Sequence, residues 1–119
     1  MRYTEAEMAK AANAALMFFL ELGVLFSVGY WGFTVSESLP LRLLAGIGAP
    51  ALFIAVWAIF GAANNPPVPL KGIARAVLEI LWFGGGAAAL IASGLVTAGT
   101  VFAAVYIVNA VLRLIWHQV

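Results

Sequence analysis

The chain has 119 residues, of which 65% are hydrophobic and 9% charged, with a net charge of +1 and a mean hydropathy of +1.06. A soluble domain carries about 25% charged residues, and one this short has too little interior for so much apolar surface, so lipid must be the solvent for much of it. The charge balance argues against a nucleic-acid partner. The absence of Cys excludes disulfides, thiol chemistry and thiolate metal sites.

Four apolar stretches follow one another, from Ala11 to Phe33, Leu41 to Ala62, Gly72 to Ser93 and Val96 to Trp116. Each is close to the ~20 residues that cross ~30 Å of hydrocarbon. The first is longer than the apolar core of a signal peptide, about 7–15 residues, and reads as a retained span. Polar Ser36-Glu37-Ser38-Leu39-Pro40 makes the first turn, with Pro40 suited to the start of the next helix. Asn64-Asn65-Pro66-Pro67-Val68-Pro69 cannot continue a helix and is the one real linker. Gly94 to Gly99 makes a short uncharged turn. Spans that satisfy their backbone internally, without barrel-strand alternation, are helices. The expected fold is therefore all-α: one domain over 1–119, a four-helix transmembrane bundle of two helical hairpins.

Arg2, Lys10, Lys71, Arg75 and Arg113 fall toward the side that holds both termini, and Arg42 alone toward the other. The positive-inside bias then puts both termini in the cytoplasm. Tyr30 and Trp31 on the outer side and Trp116 on the inner side suit interfacial anchoring. Leu20-Glu21-Leu22 in the first span and Leu78-Glu79-Ile80 in the third form a short internal repeat. It suggests two hairpins related by an axis along the membrane normal, although so short a match also arises by chance.

Two carboxylates at membrane depth are the main chemical signal, since each costs several kcal/mol (roughly 3 on insertion scales) unless paired, protonated or hydrated. At ~1.5 Å per residue, Glu21 comes near mid-membrane and Glu79 about a third of the way in. Steps of three and four put Tyr106, Asn109 and Arg113 on one face of the fourth helix, continued by Trp116 or His117, and Arg75 and Glu79 on one face of the third. Glu21, Arg75, Glu79, Asn109 and Arg113 are thus expected to converge in the cytoplasmic half, with Tyr106 in reach of Glu21.

Two readings of this cluster stand side by side. Glu79 with Arg75 or Arg113 forms a charge-neutral buried pair that fixes helix docking, the arginines alternatively snorkelling to headgroups. Or a carboxylate titrates or binds a cation during transport, with Glu21 the better candidate because no basic residue lies within a helical turn of it. Gly84-Gly85-Gly86-Ala87-Ala88-Ala89 lacks the Lys-Ser/Thr of a phosphate loop. Its four-residue repeats, Gly84/Ala88/Ala92 and Gly85/Ala89/Ser93, are expected to serve close helix packing. Pro50 cannot donate to the Gly46 carbonyl, so a kink is expected there, and the freed carbonyl either binds a ligand or marks a packing distortion.

Phe19-Leu20-Glu21-Leu22, Gly29-Tyr30-Trp31-Gly32-Phe33, Trp57-Ala58-Ile59-Phe60 before an Asn/Pro loop, Arg75-Ala76-Val77-Leu78-Glu79 with Phe83-Gly84, and Asn109 with Leu112 and Trp116 occur in this order. Together they resemble the YrdB-like family of small bacterial four-helix membrane proteins, across nearly the whole chain. The resemblance implies a bacterial cytoplasmic membrane and the same four spans, but no activity. Trp116-His117-Gln118 departs from the Trp-Gly-Gln ending of that family.

No Ser/His/Asp set, Cys/His set, metal-ligand cluster or extramembrane domain is present in the sequence, so an enzyme is not expected. His117 alone builds neither a haem nor a zinc site, so no cofactor and no metal are expected. The expected partner is the lipid bilayer. The functional expectation is a transport or channel component for an ion or small solute, using an intramembrane carboxylate in a homo-oligomer. The alternative is a structural, lipid-binding or accessory membrane protein whose polar cluster only holds the helices together.

Overall fold

The computed structural model describes residues 4–61 and 66–116. Its four helices are α1 (Glu5–Thr34), α2 (Leu39–Phe60), α3 (Gly72–Ala92) and α4 (Val96–Ile115), each long and apolar enough to cross a membrane. The start of α1 precedes the apolar run because Thr4 caps it, its hydroxyl accepting from the Glu7 amide at 3.1 Å. Glu5 and Glu7 also place negative charge on its first turn.

The connections close locally. Arg42 Nε donates to the Phe33 carbonyl at 2.8 Å, satisfying one of the carbonyls left over at the end of α1. Pro40 sits in the first turn of α2, where its missing N–H costs nothing. Between α3 and α4 the turn is shorter than the Gly94–Gly99 expectation. Gly94 takes φ +87, its amide donates to the Ile91 carbonyl at 3.0 Å, and the Leu95 amide donates to Leu90 at 2.9 Å. That Schellman pair stops α3 and lets α4 begin at once, at Val96.

The helices form two hairpins, α1–α2 and α3–α4, joined mainly by α1 packing on α3. Helix α1 touches all three others. Helix α2 leans on α1 and meets α3 only briefly, and α2 and α4 do not meet among the described residues. Asn13 near the start of α1 bonds Asn109 near the end of α4, so the start of α1 and the end of α4 lie at one end of the bundle. A core of Leu20, Val24, Val28, Trp57, Trp82 and Phe83 lies between the hairpins. Phe26, Leu44, Ile73 and Leu114 are among the many large apolar side chains left outward, a surface suited to lipid.

Glycines let backbones approach at specific points. A Cβ on Gly86 would come within 3.1 Å of Val24 Cα, and one on Gly99 within 2.8 Å of the Ala87 carbonyl oxygen. The Gly84/Ala88/Ala92 repeat corrects the packing expectation, because all three residues are exposed and a Cβ on Gly84 would meet nothing within 4 Å. Helix α3 instead buries Trp82, Phe83, Gly86, Ala87 and Ala89, a different face. Gly84→Ala and Gly48→Ala, the latter equally open, should therefore leave thermal stability unchanged or raise it by up to about 1 kcal/mol, since Ala orders more cheaply in a helix. Unfolding in mixed micelles measures this.

Helix α2 runs unbroken through Pro50. The Gly46 carbonyl oxygen faces Gly29 of α1, 3.6 Å from where a Cβ there would sit, so the proline region is a close helix contact. Trp31, expected as an interfacial anchor, packs partly against the core, whereas Tyr30 points outward.

Candidate functional site

Glu79 is the hub of the polar cluster. It is buried in α3, and its Oε2 accepts from Arg75 Nε at 2.8 Å, one turn earlier on the same helix. Two Arg113 nitrogens of α4 reach the same carboxylate, Nη1 meeting Oε2 at 3.2 Å and Nη2 meeting Oε1. Tyr106 Oη donates to Oε1 at 2.9 Å. A carboxylate so committed binds α3 to α4, and its charge is offset within the protein.

Arg113 extends the network to α1. Its Nε donates to Asn109 Oδ1 at 2.8 Å, and Asn109 Nδ2 donates to the Asn13 carbonyl at 2.8 Å and to Asn13 Oδ1 at 2.9 Å. Asn13 Nδ2 in turn donates to the Asn109 carbonyl at 3.3 Å. This two-way amide clasp is fully buried at Asn109 and locks α1 against α4 in a medium where the backbone has no water to turn to.

Arg75 extends the network to α2. Its Nη1 donates to the Gly61 carbonyl at the end of α2, at 2.8 Å, and its guanidinium carbon lies 4.9 Å from the Trp57 ring centre, within cation–π range. The Trp57 ring is stacked on Trp82 at 4.4 Å. Its indole N–H donates to Glu21 Oε1 at 3.1 Å.

Glu21 is the carboxylate with spare capacity. It is half-buried, and Oε2 makes no hydrogen bond among the described residues. Since no buried side-chain oxygen or nitrogen among them lacks a partner, that oxygen is open to its surroundings. Trp57 joins Glu21 to Arg75, whose guanidinium carbon lies 4.9 Å from the centre of the same ring. The two glutamates and two arginines sum to zero. Glu79 and the arginines alone would carry +1.

Glu79, Arg75, Arg113, Tyr106 and Asn109 thus lie in one connected network, and Glu21 joins it through Trp57. One geometric expectation is corrected. Tyr106 bonds Glu79, not Glu21, because its ring stacks on Phe83 at 4.4 Å, one turn from Glu79 on α3. Trp57, and not Tyr106 or Asn109, is the neutral partner of Glu21. Both arginines point inward to Glu79 rather than snorkelling. His117 and Arg2 lie outside the described residues.

Three participants were missed from sequence: Asn13, Trp57 and Trp82. Asn13 was findable, as a lone amide in an apolar run four and seven residues before the buried Met17–Leu20 face. Trp57 and Trp82 read as ordinary apolar residues, and nothing in their spacing reveals that each indole N–H has a specific acceptor, Glu21 for one and the Phe53 carbonyl at 2.9 Å for the other.

The chain matches no curated protein and no solved structure. Residues 15–107 match the family described as "Protein of unknown function (DUF2568)". That stretch takes in Glu21, Trp57, Arg75, Glu79 and Tyr106 and stops short of Asn109 and Arg113. Covering well over half of the sequence, the match makes this four-helix chain a member of the DUF2568 family.

Proposed function

We propose that this protein is a transport or channel component that handles a proton or small cation at Glu21, while Glu79, Arg75 and Arg113 serve as fixed scaffold. One observation carries the reading: Glu79 has both oxygens engaged by three side chains, whereas Glu21 has one oxygen held by Trp57 and one that makes no hydrogen bond among the described residues. A carboxylate kept at membrane depth with an open oxygen is a functional group by default. The chain works as an assembly of copies in this proposal, because four tightly packed helices leave little room for a pathway through one subunit. Five basic residues against one place the chain ends in the cytoplasm. The YrdB-like resemblance adds a bacterial cytoplasmic membrane. The chemistry is translocation rather than catalysis.

Purified protein in vesicles should show a pH-dependent flux of protons, a common cation or a lipophilic cation, which Glu21→Gln abolishes while the helical fold survives. Absence of flux for all three sink this reading.

One observation favours the accessory alternative. Two cavities, one among α1, α3 and α4 and one among α1, α2 and α3, are lined mostly by apolar residues, and neither is lined by Glu21. In that reading Glu21 is the counter-charge of the second arginine, and the whole cluster only holds the helices together.

A further inference from the structure

We infer that Trp57 is a positioning residue for Glu21, and that its indole N–H latches the cytoplasmic half of α2 against α1 in a manner set by the charge on Glu21. The inference rests on the reading that Glu21 is the working carboxylate. Helix α2 is the element free to move. It buries only Gly46 and Trp57, packs on α1 and meets α3 along a short stretch. Its Gly46–Pro50 region is seated tightly on Gly29 and Gly32 of α1, which makes that region the pivot and leaves the half beyond it to swing.

Three side-chain bonds restrain that half. Trp82 donates to the Phe53 carbonyl, Arg75 donates to the Gly61 carbonyl and Trp57 donates to Glu21. The first two end on backbone oxygens, whose charge is fixed. The third ends on a group that can lose its charge, and a hydrogen bond to a carboxylate is roughly twice as strong as one to a neutral acceptor.

The layout gives the motion a destination. A cavity of about 260 Å³ opens among α1, α2 and α3, lined by Val28, Ala49, Phe53, Gly85 and Ala89 among others. Along each wall the same helical face continues to the layer of Glu21: Val28 to Glu21 on α1, Phe53 to Trp57 on α2, Ala89 to Trp82 on α3. The rings of Phe53, Trp82 and Trp57, in contact at 5.8 and 4.4 Å, run from the cavity wall at Phe53 to Trp57 beside Glu21. When Glu21 takes up a proton or cation, the Trp57 bond weakens and the cluster is left with one positive charge in excess. Water entering between α1 and α2 lowers the cost of that charge. The aromatic layer then parts and the cavity reaches Glu21.

The chain has no Cys, so spin labels can be placed on Ala58→Cys and Ala14→Cys, exposed positions on α2 and α1, in the whole chain in lipid vesicles. Glu21→Gln should add a longer-distance population between the labels. Trp57→Phe, which keeps an aromatic ring in place and removes the N–H together with part of the indole, should produce the same population. The double variant should add nothing further, since both act on one bond. Distances unchanged in both variants overturn the latch, even where Glu21→Gln abolishes flux and the transport reading survives. A longer population in both, in a protein with no flux, upholds the latch and removes the transport reading. A lower melting temperature with unchanged distances marks Trp57 as packing only and likewise overturns the latch.

Discussion

Glu79→Gln should be among the most destabilising single changes in this protein, costing about 3–5 kcal/mol, the range for removing one partner of a buried ion pair. Gln puts an amide N–H₂ in place of one of the two oxygens that accept from Arg75, Arg113 and Tyr106, so at that atom donor meets donor. The two guanidiniums lose their nearest counter-charge, and Glu21 alone is left to balance both. Arg113→Gln should cost a comparable amount, because it removes both Arg113 bonds to Glu79 and leaves Asn109 Oδ1 without its donor. The double variant should be markedly less damaging than the sum of the two, since its second change removes a charge that the first has already orphaned. Reversible unfolding in mixed micelles gives all three values. If both single variants unfold like the native protein, Glu79 is not the tie between α3 and α4.

The same measurement separates the two carboxylates. Glu21 makes one hydrogen bond and Glu79 four, so Glu21→Gln should lower stability far less than Glu79→Gln. A large loss at Glu21 would favour the accessory reading, in which Glu21 is a structural counter-charge. A small loss together with abolished flux would favour the transport reading.

Much of the architecture was legible in the sequence because it depends on one-dimensional signals. Apolar run length, Pro40, the Asn/Pro linker and Gly94 mark where helices start and stop, and α2 to α4 begin and end within about two residues of the expected spans, the usual uncertainty of helix ends. Helix α1 departs more, since a capped acidic turn carries it past the apolar run. The cluster was legible too, because charged residues in an apolar chain must find one another and helical spacing says which share a face. What spacing cannot say is how each helix is rotated against its neighbours. Depth alone puts Tyr106 in reach of Glu21. Its real partner follows from the stack on Phe83, a contact between helices that only packing decides. The exposed Gly84 stripe failed for the same reason, since small residues permit close approach without choosing which face is used.

Gly32→Ala should be the most damaging of the glycine substitutions, at about 3 kcal/mol, the upper end for overpacking a tight contact. Gly32 is buried in α1, and a Cβ there would fall on the Ala45 carbonyl and the Gly46 amide of α2. These are backbone atoms of a continuous helix, so no side-chain rotation can make room. The two helices must move apart, and α2 has little else to hold it, because its other buried contact is Trp57 at the opposite end. Gly85→Ala makes an informative contrast, since its Cβ would meet only the Phe53 ring tip, at 2.9 Å, and a ring can shift. Gly32→Ala should therefore unfold well before Gly85→Ala in mixed micelles, and labels on α1 and α2 should separate near Ala45. Should Gly32→Ala match the open-site variant Gly48→Ala in stability, the close α1–α2 crossing is not what anchors α2. The pivot required by the Trp57 latch would then be lost as well.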